Sequence, residues 1–192
     1  VVALYCLKAL KDEKVTCVRK ARAIFGAGEE IASDDLKQYF QREALPELAF
    51  TPDAEYGVCN REKGILHVEL SAPADGSRLE SLHGGTVRNA VAASARAEAR
   101  CTAEECQALE ALSKKMDGKF SFQWSDGVLT AECVGRAAHA MEPQKGRNAA
   151  ARLVRLFSSC FGGEALGVLW SFVDQKIGLE LDGSSLGLRR ED

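Results

Sequence analysis

Residues 95–134 carry the most regular pattern in the chain and read ARAEARCTAEECQALEALSKKMDGKFSFQWSDGVLTAECV. Alanine alternates with charged residues over Ala95–Arg100, and this period of two predicts a strand. Thr102 follows, with Glu105 three positions later. A hydroxyl and a carboxylate at this spacing form the capping box of a helix N-terminus. The sequence therefore predicts a strand that leads into a helix ending near Met116.

A hairpin is predicted directly after this helix. Apolar and polar residues alternate over Lys119–Gln123 and again over Val128–Val134. The four residues between them, Trp124–Gly127, include the pair Asp-Gly, which favours a tight turn. We therefore expect two antiparallel strands that pair along their length.

The segments on either side complete a fold of two layers. Gly64–Ser71 alternates as a half-exposed strand does, whereas His83–Gly85 is expected to form a flexible loop. Two further helices are predicted at about 146–159 and 164–177. The resulting order, β-β-α-β-β-α, is that of an α+β two-layer sandwich with an antiparallel sheet.

The start of the chain has a different order of predicted helices and strands. Residues 1–12 predict an amphipathic helix, and a second helix is predicted over Asp34–Phe40 with Ser33 as its N-cap. Residues 18–25 and 48–51 are predicted as strands. Helices that alternate with strands favour an α/β fold with a parallel sheet.

The composition changes near Gly57–Gly64, which we take as the boundary between a domain of residues 1–60 and a domain of residues 61–192. The chain begins at Val1 in what reads as mid-domain structure and stops after Asp192 without a closing element. We therefore expect an internal fragment of a longer protein, incomplete at the C-terminal end of its second domain.

Composition excludes several classes of protein. The 192 residues carry a net charge of −3 and no basic block that would indicate nucleic-acid binding. No apolar run is long enough for a membrane span, and nothing resembles a signal peptide. The seven cysteines include no Cys-x-x-Cys pair and lie in apolar segments. This usage is typical of buried, reduced thiols in a cytoplasmic protein.

Three carboxylates could form a metal centre. Glu29 and Glu30 are adjacent in a glycine-rich loop directly after the first predicted strand, and Asp53 follows the second. At the carboxyl end of a strand, one glutamate can ligate a metal while the other takes a proton from metal-bound water. The alternatives are a solvated acidic loop for the glutamates and a turn aspartate after Pro52 for Asp53.

His139 lies between the last predicted strand and an alanine-rich helix, in a turn that contains Pro143, Gly146 and Asn148. An imidazole in this position could donate a hydrogen bond to a developing oxyanion. The alternative is a structural histidine. Asn89 offers a side-chain donor from a second glycine-rich loop, or is an ordinary loop residue.

Taken in order, these motifs resemble those of peptidase V-type dipeptidases. These enzymes belong to the zinc exopeptidase family that includes carnosinases, succinyl-diaminopimelate desuccinylases and aminoacylase-1. The resemblance covers nearly the whole chain. The motifs that carry it are Arg22-Ala-Ile-Phe-Gly-Ala-Gly-Glu-Glu30, Asp35-Leu-Lys-Gln-Tyr-Phe40, Phe50-Thr-Pro-Asp-Ala54, Gly84-Gly-Thr-Val-Arg-Asn89 and Gly135-Arg-Ala-Ala-His-Ala140.

The resemblance implies a role for each candidate residue. Glu29 would be the general base that activates a bridging water, Glu30 a ligand of one zinc ion and Asp53 a ligand of a second. His139 would stabilise the tetrahedral oxyanion, and Asn89 would be a further contact to substrate. The implied fold is a piece of an α/β catalytic domain followed by an α+β lid or dimerisation domain.

The implied activity is hydrolysis of short peptides by a metal-activated water, in a monomer or homodimer. A related amidohydrolase, such as a deacylase or desuccinylase, and a non-catalytic association module are the alternatives.

The chain also departs from the family pattern. It has no counterpart of the His-x-Asp motif, of the bridging aspartate before the Glu-Glu pair, or of the histidine near the C-terminus. Gly28 stands where the family has an aspartate, and Val91-Ala92-Ala93 replaces the usual Val-Pro-Asp. We therefore expect this chain alone to be inactive and to bind zinc incompletely.

Overall fold

The computed structural model describes five stretches of the chain: residues 1–29, 33–52, 57–60, 64–73 and 76–188. The chain divides into two units, Val1–Asn60 and Arg61–Asp192.

The second unit contains a four-stranded antiparallel sheet. Its strands are β1 (Leu79–Gly84), β2 (Ser94–Arg100), β3 (Lys119–Ser125) and β4 (Val128–Val134). They lie in the order β1-β2-β4-β3. The predicted hairpin is confirmed, since Asp126 and Gly127 join β3 to β4 with φ angles of 52° and 82°. Two positive φ angles are what a tight hairpin turn requires.

Small side chains form the inner face of the sheet. Ala95, Ala97 and Ala99 alternate with charged residues along β2 and are at most 5% exposed. Ala97 lies opposite Ala131 of β4, which is also fully buried. Because these side chains are short, a helix can pack closely against the strands. The predicted alternation of β2 is therefore confirmed, and its alanines mark the face that helices cover.

The helix after β2 begins as the sequence predicts. It is α3 (Ala103–Ser113), and both bonds of the capping box are present. The hydroxyl of Thr102 accepts from the N–H of Glu105 at 3.3 Å, and the Glu105 carboxylate accepts from the N–H of Thr102 at 2.9 Å. The α-helix ends at Ser113, a few residues before the predicted Met116.

The next helix, α4 (Ala149–Phe161), supplies the centre of the core. Its Leu153, Leu156 and Phe157 are completely buried, and it contacts β1, β2 and β4 as well as α3. Asn148 is the N-cap, since its side-chain oxygen accepts from the N–H of Ala151 at 3.1 Å. The sheet and these two helices make the antiparallel α+β sandwich that the order of elements predicts.

The last predicted helix, at 164–177, is helical but divided. Gly162 and Gly167 adopt φ angles of 81° and 80°, which interrupt a right-handed helix. The pieces are a 3₁₀ helix at Gly163–Leu166, α5 (Gly167–Phe172) and a π-helical turn at Val173–Ile177. A separate 3₁₀ helix follows at Ser184–Leu186.

The first unit contains the two predicted helices, α1 (Val2–Asp12) and α2 (Asp34–Phe40), and neither buries a residue. Its described residues contain no strand, so the predicted strands at 18–25 and 48–51 and the parallel α/β sheet are wrong for this unit. An unpaired strand leaves its backbone N–H and C=O groups without partners. Alternation of apolar and polar residues predicts a strand, but it does not provide the neighbouring strand that would pair with these backbone groups.

Two predictions at the start of the second unit are also wrong. The segment 64–71 forms no strand, and Ile65 is 86% exposed. The first strand of the sheet is instead β1, which includes His83 and Gly84 of the predicted loop. A glycine fits this strand because a Cβ at Gly84 would lie 2.9 Å from the Cβ of Ala95.

The cysteines differ between the units. Cys101 and Cys133 are buried, and burial raises the pKa of each thiol to about 11. Cys6, Cys17 and Cys59 are exposed, so the prediction of buried thiols is wrong for the first unit. The two helices of the first unit bury no residue, so they do not enclose these thiols. Within the described ranges, no helix has the length and apolar character needed to span a bilayer.

Candidate functional site

The turn that carries His139 is closed by backbone hydrogen bonds at its two ends. The N–H of Arg136 donates to the carbonyl of Arg147 at 3.0 Å, and the N–H of Arg147 donates back at 2.8 Å. We call residues 136–147 the His139 turn and this pair of bonds its neck. The side chain of Arg147 also forms an ion pair with Asp117, with Nε 2.8 Å from the carboxylate. The neck therefore holds both ends of the turn at the end of β4.

Gly135 makes the neck possible. Its N–H donates to the carbonyl of Ala93 at 2.7 Å. A Cβ at this position would lie only 2.0 Å from the carbonyl oxygen of Arg147, which no side-chain carbon can tolerate. The glycine of the motif is thus required by space rather than by backbone dihedral freedom.

Inside the turn, the backbone folds back on itself. The N–H of Glu142 donates to the carbonyl of His139 at 2.9 Å, and a 3₁₀ helix follows at Pro143–Lys145 with the proline in its first turn. A Cβ at Gly146 would lie 2.9 Å from the Cβ of Val91. Pro143, Gly146 and the N-cap Asn148 hold this turn as the sequence predicts.

A second segment pairs with the turn. The N–H of Ala140 donates to the carbonyl of Asn89 at 2.8 Å, and the N–H of Val91 donates to the carbonyl of Ala138 at 2.9 Å. These bonds place Ala90 directly opposite His139. The structure thus brings the backbones of Asn89 and His139 into neighbouring segments. Because successive side chains of an extended segment alternate in direction, the register pairs His139 with Ala90 and not with Asn89.

The His139 ring is oriented by one backbone bond. Its Nδ1 accepts from the N–H of Met141 at 3.1 Å, and the residue is exposed. In a neutral imidazole whose Nδ1 accepts, the proton is on Nε2. The turn therefore presents an N–H donor to its surroundings, which is the chemistry expected of an oxyanion contact.

The acidic candidates belong to the first unit. Glu29 is exposed and follows Gly26-Ala27-Gly28. The carboxylate of Asp35 accepts from the N–H of Ala27 at 2.6 Å and from the N–H of Gly28 at 3.2 Å. Backbone donors, that of Ala27 first and then those of Leu36 and Gly28, hold the pKa of Asp35 below its ordinary value of 3.8. Glu30 and Asp53 lie outside the described residues.

Three residues that hold the candidate loops were not singled out from the sequence. Asp117 and Arg147 are thirty positions apart, so no local pattern connects them. Asp35 stands within a quoted motif, and its signal was the preceding Gly26-Ala27-Gly28, whose backbone N–H groups need acceptors in the absence of regular structure.

The fit to zinc is limited. Among the residues that the structure describes, no group of three or more His, Cys, Asp or Glu side chains could hold a metal ion. Carboxylates are suitable zinc donors, but a catalytic zinc ion takes three protein ligands. The described residues therefore do not by themselves form a zinc centre.

Sequence comparisons relate most of the chain to bacterial dipeptidases. "Putative dipeptidase YtjP" of Bacillus subtilis (strain 168) is 32% identical over 155 residues, which are 77% of this chain and 34% of that protein. The Beta-Ala-Xaa dipeptidase of Lactobacillus delbrueckii subsp. lactis is 30% identical over 156 residues, 77% of this chain and 33% of that protein. "Putative dipeptidase SH1171" of Staphylococcus haemolyticus (strain JCSC1435) is 30% identical over 171 residues, 83% of this chain and 36% of that protein. No family model matches the chain.

These matches define the chain as a homologue of dipeptidases over about four fifths of its length. They support the peptidase V-type dipeptidase family that its motifs predict. The chain spans about a third of the length of the curated relatives it matches.

Proposed function

We propose that this chain is part of a cytoplasmic, zinc-dependent dipeptidase that hydrolyses short peptides. The observation that carries the proposal is the 32% identity to a dipeptidase-named protein across 77% of the chain. The His139 turn supports it, because His139 is exposed, its Nδ1 accepts from Met141 and the turn is hydrogen-bonded at both ends. No described feature favours a deacylase or an association module over this activity.

In this proposal each candidate residue has the role that the family motifs imply. Glu29 is the general base, while Glu30 and Asp53 each ligate one zinc ion. From the second unit, His139 donates to the oxyanion, and Asn89 is a further substrate contact. The register, which pairs His139 with Ala90, makes Asn89 the weaker candidate of the two.

Zinc, when bound, would polarise the scissile carbonyl and lower the pKa of a bound water. The metal enters the proposal from the family motifs, since the described residues do not form a zinc centre. Two carboxylate ligands and a base are too few for a cocatalytic pair. We therefore propose that the 192-residue chain alone does not hydrolyse peptides.

The test is an assay of dipeptide hydrolysis. The protein assayed is one that contains this segment and is as long as the curated relatives. We expect activity that a chelator removes and zinc restores. Glu29→Gln should lower kcat by about 10²–10⁴, and His139→Ala by about 10²–10³. His67→Ala is the matched control, since His67 is an exposed histidine of the same unit. Activity that survives the chelator, or that is insensitive to both variants, would contradict the proposal.

A further inference from the structure

The loop that carries Glu29 has its backbone held by one side chain. Asp35 Oδ2 accepts from two consecutive N–H groups, those of Ala27 at 2.6 Å and Gly28 at 3.2 Å. Its other oxygen, Oδ1, accepts from the N–H of Leu36 at 2.9 Å. Consecutive N–H groups that converge on one oxygen fix the direction of the chain at both residues. Glu29 is the next residue after them.

The loop also lies close against the base of α2. A Cβ at Gly26 would be 3.3 Å from Asp35 Oδ2 and 3.5 Å from Leu36 Cγ. The N–H of Ser33 donates to the carbonyl of Gly28 at 2.8 Å. Among the described residues, the partners of these Ala27 and Gly28 backbone groups are Asp35, in the first turn of α2, and Ser33, its N-cap.

The segment before the loop is attached to the same helix. Arg22 donates to the hydroxyl of Tyr39 at 2.9 Å and forms an ion pair with Glu43 at 3.1 Å. This contact lies near the other end of α2, so the helix holds both the approach to the loop and the loop itself.

We propose that Asp35 is a positioning residue that sets the backbone of the Ala27–Gly28 pair and thereby the place of Glu29. It does not contact substrate; it acts through the loop. This inference rests on the proposed function, in which Glu29 is the general base. A displaced base slows the chemical step more than it weakens substrate binding.

Substitutions at this turn should have graded effects, according to how many hydrogen bonds to the loop each one removes. Asp35→Ala removes all three acceptor contacts. Asp35→Asn keeps one oxygen for Ala27 and Gly28 but places an amide donor near the N–H of Leu36. Its effect should therefore be smaller than that of Asp35→Ala. Asp34→Ala is the matched control, because Asp34 is the neighbouring acidic residue of the same turn and, among the described residues, its carboxylate accepts from Lys37 at 2.6 Å.

The first measurement is amide hydrogen exchange by NMR in the 192-residue chain. Asp35→Ala should accelerate exchange at Ala27 and Gly28 by about tenfold or more, with a smaller effect in Asp35→Asn and none in Asp34→Ala. Chemical shifts of Lys37–Phe40 report whether α2 still forms in each variant. Unchanged exchange at Ala27 and Gly28, with α2 intact, would overturn the inference.

The second measurement is steady-state kinetics of the same variants at full length. We expect kcat to fall by about tenfold or more in Asp35→Ala with KM changed less than twofold, and partial recovery in Asp35→Asn. A wild-type protein without peptidase activity overturns the proposed function together with this inference. An active wild type whose kcat is unaffected by Asp35→Ala overturns the inference alone.

Discussion

The two units differ in where their residues find partners. In the second unit, β2 pairs with β4 across about thirty intervening residues, and the helices cover a face of buried alanines. In the first unit, α1 and α2 form from local pattern alone and bury no residue. The comparison teaches that a local pattern is sufficient for a helix, whereas a strand forms only where another segment pairs with it.

The two candidate loops differ in the same way. The His139 turn is held by Gly135, by Val91 and by Asp117, which come from three other parts of the second unit. The loop before Glu29 is held by Asp35, eight residues after Ala27. We therefore expect substitutions in the first of these loops to change the stability of the unit, and substitutions in the second to act locally.

The largest effect is expected at Gly135. In Gly135→Ala the new methyl group would meet the carbonyl oxygen of Arg147 at 2.0 Å, so the neck must open. We expect the free energy of unfolding of the second unit to fall by about 3 kcal/mol, measured by urea denaturation.

Gly64→Ala is the matched control for this prediction. Gly64 belongs to the same unit, and a Cβ there would have no atom of the described residues within 4 Å. Equal stability of the two variants would show that the neck contributes nothing to the fold and would remove the contrast between the loops.

A smaller effect, with a pH signature, is expected at Glu105. Its carboxylate accepts from Arg78 at 2.9 Å and from the N–H of Thr102 at 2.9 Å. These contacts, that of Arg78 first, lower the pKa of Glu105 to about 2 from an ordinary 4.5. Because the folded-state pKa is the lower one, the stabilisation is complete above about pH 4.5 and is lost as the pH falls towards 2.

Glu105→Gln should therefore lower the free energy of unfolding by about 2 kcal/mol at pH 7. The difference from wild type should shrink as the pH falls below 4.5. Glu110→Gln, a change on the exposed side of the same helix, should leave stability unchanged at both pH values. A gap between Glu105→Gln and wild type that is constant from pH 7 to pH 2.5 would contradict this account of the Arg78 pair.

The smallest effects compare two predicted N-caps, one in each unit. Thr102 bonds the N–H of Glu105, whereas Ser33 makes no side-chain cap bond and has a φ of 50°. Thr102→Ala should cost about 1 kcal/mol of unfolding free energy. Ser33→Ala should change stability by less than about 0.5 kcal/mol and should leave the NMR shifts of α2 as they are. A loss of α2 in Ser33→Ala would show that the serine caps the helix after all.

Sequence reasoning succeeded where the determining contacts are short in range. The capping box of Thr102, the Asp-Gly turn at 126–127 and the alternation of Ala95–Arg100 each specify structure within a few residues. It failed at 18–25, 48–51 and 64–71, where an apolar pattern has no partner strand in the described structure. It missed β1 altogether and predicted a loop at its end, because glycine at 84 indicates a loop unless the approach of Ala95 and Ala150 is known.

The candidate site shows the same limit. The local residues of the His139 turn could be recognised from Pro143, Gly146 and Asn148. The neck between Arg136 and Arg147, and the pairing of Ala90 with His139, depend on backbone contacts that no sequence pattern encodes. The role of Asp35 was missed although Gly26-Ala27-Gly28 offered a signal, since a helix N-terminus explains an acidic residue without any reference to a loop.

The closed neck of the His139 turn has an entropic consequence for any molecule that contacts the imidazole. A surface loop that becomes ordered only on binding loses chain entropy at that moment, at about 0.5–1.5 kcal/mol for each immobilised side chain. In this turn the reciprocal bonds of Arg136 and Arg147, and the bond from Met141 to the ring, already exist in the free chain. The loss of conformational freedom accompanies folding. A ligand at Nε2 would therefore meet a preorganised donor, and its binding would cost less conformational entropy.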